Sequence, residues 1–134
     1  MDWLHKAAEK KSSRAYTLLG MMYYNGEAVQ KDYKIAADWF KKAADAGIAD
    51  AQFRLAGMYL DGEGVETNYF EAVKLYRILA EKPSAGKQCV GSQIMLGSMY
   101  AEGLGVEKNR REARKWYSKA ADQGDRFAQQ SLVQ

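Results

Sequence analysis

The sequence predicts an all-α repeat protein of the solenoid class. Three observations carry this reading. Residues recur at a fixed interval, apolar residues inside each interval keep helical spacing, and a glycine-rich turn follows the first helix of each interval. Tyr23 returns as Tyr59 after 36 residues, and the same step takes Ala15 to Ala51, Leu19 to Leu55, Ala36 to Ala72, Phe40 to Tyr76 and Ala44 to Ala80. A period of about 20–50 residues marks solenoids, propellers or arrays, in which each repeat buries its apolar face only against its neighbours.

The next step is longer. Tyr59 returns as Tyr100 after 41 residues, an offset that also takes Gly62 to Gly103, Val65 to Val106, Ala72 to Ala113 and Tyr76 to Tyr117. The five added residues fall between Ala80 and Ser92, around Pro83 and Gly86. The pattern runs off both ends, so the chain reads as about three full repeats with a half repeat at each end.

Taken in order, Asp2 to about Lys11 reads as a helix capped by Asp2, with Trp3, Leu4, Ala7 and Ala8 on its apolar face. Ser13–Asn25 is the first helix of repeat one, with Ser13 as its cap and Ala15, Leu18, Leu19, Met22 and Tyr23 as its core stripe. Gly20 leaves room for a paired helix, and Gly26 suits the left-handed residue that ends a helix. Asp32 caps a second helix running to Ala46. There the large Trp39 and Phe40 stand between the small Ala36 and Ala43, and Gly47 stops the helix. Asp50–Asp61 and Asn68 to about Glu81 repeat the pair. Pro83 and Gly86 break the next turn, and the inserted segment is expected to bulge outward. Gly91–Glu102 and Asn109–Gln123 form repeat three, followed by a short helix over Arg126–Gln134.

Set out as a string, repeat three reads Leu96-Gly97, Tyr100, Gly103-Leu104-Gly105-Val106, Asn109, Ala113, Trp116-Tyr117, Lys119-Ala120-Ala121, Gly124. This pattern resembles the Sel-one-like repeat, a relative of the tetratricopeptide repeat, and the resemblance extends over essentially the whole chain. It implies stacked antiparallel helix pairs in a curved solenoid that serves as a protein-interaction scaffold. Departures are Ala28 and Ala56 in place of glycine, Leu75 in place of tryptophan, and the insertion in repeat two. The paired cysteines of some family members are missing.

Composition narrows the field further. A chain of 134 residues fits one domain, and a hydrophobic content of 47% with one proline suits a packed helical protein. A net charge of +3 implies neither a nucleic-acid nor a membrane partner. One cysteine forms no internal disulfide, and no apolar run reaches the roughly 18 residues of a membrane-spanning helix. The start Met1-Asp2-Trp3-Leu4-His5-Lys6 lacks the form of a secretory signal. The cytoplasm is therefore the expected compartment, or the periplasm or exterior if a signal has been removed.

No set of residues converges on a reaction. The Gly-x-Gly loops follow helices and recur, whereas phosphate loops need a preceding strand and a third glycine or a Lys-Ser/Thr pair. Asp61, Glu63, Glu66 and Glu71 lack the alternating spacing of a calcium loop. His5 and Cys89 have no metal-binding companions in sequence. Lys108, Arg110, Arg111, Arg114 and Lys115 form a basic cluster that Glu107 and Glu112 interrupt, and it reads as a solvated helix face. No cofactor is implied, and the expectation is a protein that is not an enzyme.

In the related tetratricopeptide architecture the first helices line a concave groove. By that resemblance the positions that vary between repeats face a partner. These are Arg14, Thr17, Met21 and Tyr24 in repeat one, and Asp50, Phe53, Arg54, Gly57 and Leu60 in repeat two. In repeat three they are Ile94, Ser98 and Ala101. A peptide or protein held there is the expected partner, with self-association through the half-repeat ends as the alternative.

Overall fold

The computed structural model describes residues 5–6 and 12–124. Among them are six α-helices and no strand, as the repeat predicts. Most of the expected first helix and all of the expected last one lie outside the described residues. The chain divides into two compact units, Met1–Thr67 and Asn68–Gln134.

The first unit holds helices α1 (Ser13–Asn25), α2 (Tyr33–Asp45) and α3 (Ala49–Asp61). Ser12, one residue earlier than expected, caps α1 by accepting from the Ala15 amide at 3.4 Å. Asp32 caps α2 as expected, accepting from the Ile35 amide at 3.1 Å. Such caps satisfy first-turn amides that have no partner within the helix. The loop between α1 and α2 is closed by the Asp32 amide donating to the Tyr23 carbonyl at 2.9 Å. The two helices pack with Leu19, Ala36 and Phe40 fully buried. Their approach depends on Gly20, where a Cβ would stand 2.7 Å from the Phe40 ring.

At the end of α2 the Gly47 amide donates to Ala44 and the Ile48 amide to Ala43. This double bond pattern closes a helix around a left-handed residue, and Gly47 has φ +85°. α3 begins at once, with no side chain capping it. Instead Gln52, buried in its first turn, reaches back and donates to the Ala44 carbonyl at 3.2 Å. The Ala44 carbonyl thus accepts from both the Gly47 amide and the Gln52 side chain, which ties the first turn of α3 to the end of α2.

The second unit holds α4 (Tyr69–Ala80), a short 3-10 turn (Pro83–Ala85), α5 (Lys87–Glu102) and α6 (Arg110–Asp122). Asn68 and Asn109 cap α4 and α6, each accepting from an amide three residues on at 3.1 Å. Glu71 and Glu112 put negative charge in the first turns, where the helix dipole favours it. α5 packs on both α4 and α6. Gly97 repeats the role of Gly20, since a Cβ there would stand 2.7 Å from the Tyr117 ring.

The insertion corrects one expectation. It is not simply an outward loop, because α5 starts at Lys87 rather than Gly91. Residues 81–84 are exposed, but the added length goes into the 3-10 turn and an extra turn of helix. Cys89 and Gln93 are buried there and both donate to the Ala80 carbonyl, at 3.4 and 3.1 Å. Gln93 stands 41 residues after Gln52 and does the same work. Its own carbonyl accepts from Gln123 at 2.8 Å.

Candidate functional site

The candidate positions in the first unit lie on α1 and α3. Arg14 is exposed, and Thr17, Met21, Tyr24, Asp50, Phe53, Arg54, Gly57 and Leu60 are half-buried. The Thr17 hydroxyl donates to the Ser13 carbonyl at 3.2 Å, within its own helix. Arg54 and Asp50 form an ion pair at 3.2 Å, one helical turn apart. That pair is more than a third exposed on both sides, so it orients the guanidinium without adding much stability.

Tyr24 is held by a contact from a distant loop. Its hydroxyl donates to Glu63 Oε1 at 2.9 Å, tying the end of α1 to the loop after α3. Its ring lies 4.9 Å from that of Tyr33. Partial burial, and then the Glu63 carboxylate, push its hydroxyl up to about 12. In the second unit, Ile94, Ser98 and Ala101 are half-buried on α5, and Ser98 shares a 2.9 Å hydrogen bond with the Tyr117 hydroxyl.

The other sequence features are placed as follows. His5 meets Trp39 edge-on with ring centroids 6.2 Å apart. Cys89 is buried. Arg110, Arg111, Arg114 and Lys115 are exposed on α6. Met58 and Met99 are fully buried and Met22 is partly so, which gives the methionines that precede the repeat tyrosines a place in the core. Among the described residues no group of three or more His, Cys, Asp or Glu side chains is placed to hold a metal ion. No described helix is long and apolar enough to cross a membrane.

One surface was missed by the sequence reading. On α4, Phe70, Val73, Lys74, Arg77, Ile78 and Glu81 line an open groove of about 400 Å³, walled on its far side by Gly105 and Val106. The missed signal was a charged position in two repeats replaced by an apolar residue in the third.

The Sel1 repeat matches residues 1–12, 13–48, 49–84 and 90–125. The chain belongs to the Sel1 repeat family. Its α-solenoid class follows from this together with the packed helix pairs. Proteins of this family are generally interaction scaffolds.

A protective antigen of uropathogenic Escherichia coli with an SLR fold is 42% identical over 96% of this chain and 26% of its own, with a TM-score of 0.84. A Sel1 repeat protein of Oxalobacter formigenes is 38% identical over 92% of this chain and 49% of its own, with a TM-score of 0.77. This Sel1 repeat chain thus spans about a quarter and a half of those two relatives. Cysteine rich protein B of Helicobacter pylori shares the fold at 22% identity, a TM-score of 0.65, and 96% and 94% coverage of the two chains. Among curated proteins nothing matches.

Proposed function

We propose that the chain is a non-enzymatic scaffold that holds a peptide or protein partner against the variable faces of its first helices. In the related architecture these faces line the concave groove. One observation carries the reading. Met21, Phe53, Leu60 and Ile94 are apolar yet only half-buried, at positions that change from repeat to repeat while the framework around them does not. A scaffold with a grafted site has this pattern. Phe53 and its neighbours supply apolar anchors, and Arg14 and the Asp50–Arg54 pair orient the partner. So small a face gives modest affinity unless several modules act in tandem.

The test is a random-peptide display selection on the purified chain, followed by titration of the selected peptides. Phe53→Ala and Arg14→Ala should weaken them about tenfold or more while helical circular dichroism is kept. Peptides that bind both variants as well as the parent chain would overturn this placement of the site.

A further inference from the structure

Helix α4 carries a face that its counterparts lack. The repeat offsets equate Phe70 with Lys34 and Arg111, and Ile78 with Lys42 and Lys119. In the counterparts the lysine covers the repeat tryptophan. Lys42 Nζ lies 4.7 Å from the Trp39 ring centroid, and Lys119 Nζ lies 4.5 Å from that of Trp116. In α4 the tryptophan position is Leu75, so a cation has no ring to cover, and Ile78 stands there 50% exposed. Phe70 has no such local reason. It is 64% exposed where Lys34 and Arg111 serve the same helix position. Single exposed apolar residues are ordinary, but here two line one groove together with Val73 and Val106.

The groove is preformed. Its far wall is held against the start of α4, since a Cβ on Gly105 would stand 2.5 Å from the Tyr69 carbonyl oxygen. Its lining carries two basic side chains, Lys74 and Arg77, and one acidic one. The Arg77 guanidinium donates to the Tyr100 hydroxyl, which positions it without neutralising it. Among the described residues no carboxylate lies within ion-pairing distance of Arg77. Lys74 is paired with Glu71 at 3.8 Å, a largely exposed contact of little strength. Glu81 is the one acidic residue of the lining. After Val106 the chain continues through Glu107, Lys108, Arg110 and Arg111, all exposed, with a basic excess.

We propose that this groove, separate from the first-helix faces, docks an acidic segment of a partner protein. A bulky apolar side chain of the segment seats on Phe70, Val73, Ile78 and Val106, and a side-chain carboxylate pairs with Arg77. A guanidinium already held in place loses less freedom on pairing with a carboxylate, which is where an acidic partner gains over a basic one.

The test uses the whole chain and two synthetic amphipathic peptides of equal length. Both carry leucine at helical spacing; one has glutamate elsewhere and the other lysine. Calorimetric titration should show the glutamate peptide binding saturably and about tenfold or more tighter than the lysine peptide. The double variant Phe70→Lys/Ile78→Lys, which installs the residues of the sister helices, should lose that binding. Arg77→Gln should abolish the preference for glutamate, and Phe53→Ala should change nothing, which separates this groove from the first-helix faces. No binding of the glutamate peptide would overturn the proposal. So would equal binding of both peptides, or binding indifferent to the groove variants. Occupation of the groove by a second copy, seen as mass rising with concentration in the parent chain but not in the double variant, would also overturn it. The same holds for uptake by anionic vesicles without peptide binding.

Discussion

Helices α2 and α4 occupy the same register in successive repeats, yet they share only their inner faces. The caps Asp32 and Asn68 correspond, as do the buried Ala36 and Ala72, Phe40 and Tyr76, and Ala44 and Ala80. The outer faces diverge. Lys34, Asp38 and Lys42 on α2 become Phe70, Lys74 and Ile78 on α4. The repeat therefore specifies itself with an alternation of large and small side chains and one capping residue, which is enough to fill a close-packed interior. The outer face carries none of that specification, so it is free to acquire a partner.

The contrast is broken most strongly by exchanging inner for outer residues. Phe40→Ala should cost about 3–5 kcal/mol by leaving a cavity, whereas Phe70→Ala should stay within about 0.5 kcal/mol. Urea unfolding of the two variants measures both. The loops give a second contrast. Gly64 has φ +73°, and a Cβ there would collide with the backbone carbonyl of Tyr33. Gly64→Ala therefore combines left-handed strain with overpacking and should cost about 2–4 kcal/mol.

One repeat earlier, Ala28 holds the same place at φ +64° and is exposed. It bears the strain alone, and Ala28→Gly should raise stability by about 0.5–1 kcal/mol, seen as a higher melting temperature.

Tyr24 sharpens the picture of how a first helix is tied down. Tyr24→Phe should lower stability by about 1 kcal/mol near neutral pH. A raised hydroxyl favours the neutral, folded form, so the difference from the parent chain should be complete below pH 10 and vanish as pH climbs through about 12. Urea midpoints of both proteins across that range provide the check.

Much of this fold was legible from spacing alone. The period placed all six helices, and Asp32, Asn68 and Asn109 were readable caps because a short polar side chain stands just before each apolar stripe. Adjacent serines hid the choice between Ser12 and Ser13. The start of α5 was misjudged because Pro83 and Gly86 are strong breakers, while Cys89 and Gln93 anchor the added turn through contacts with Ala80 distant in sequence. The first-helix positions were readable only as variable. Their internal bonds, such as Tyr24 to Glu63, depend on a loop 39 residues away. The α4 groove is legible in the repeat offsets at Phe70 and Ile78, where lysine or arginine stands in the sister helices, but it lies off the first helices on which the family resemblance puts recognition.

The most direct test of the separation between shared framework and free surface is the melting temperature of the triple variant Phe70→Lys/Lys74→Asp/Ile78→Lys. It gives α4 the outer face of α2 and leaves every inner residue in place. Its melting temperature should lie within about 3 °C of that of the parent chain. A fall of about 10 °C or more would contradict it, because the outer face of α4 would then be part of what holds the repeat together.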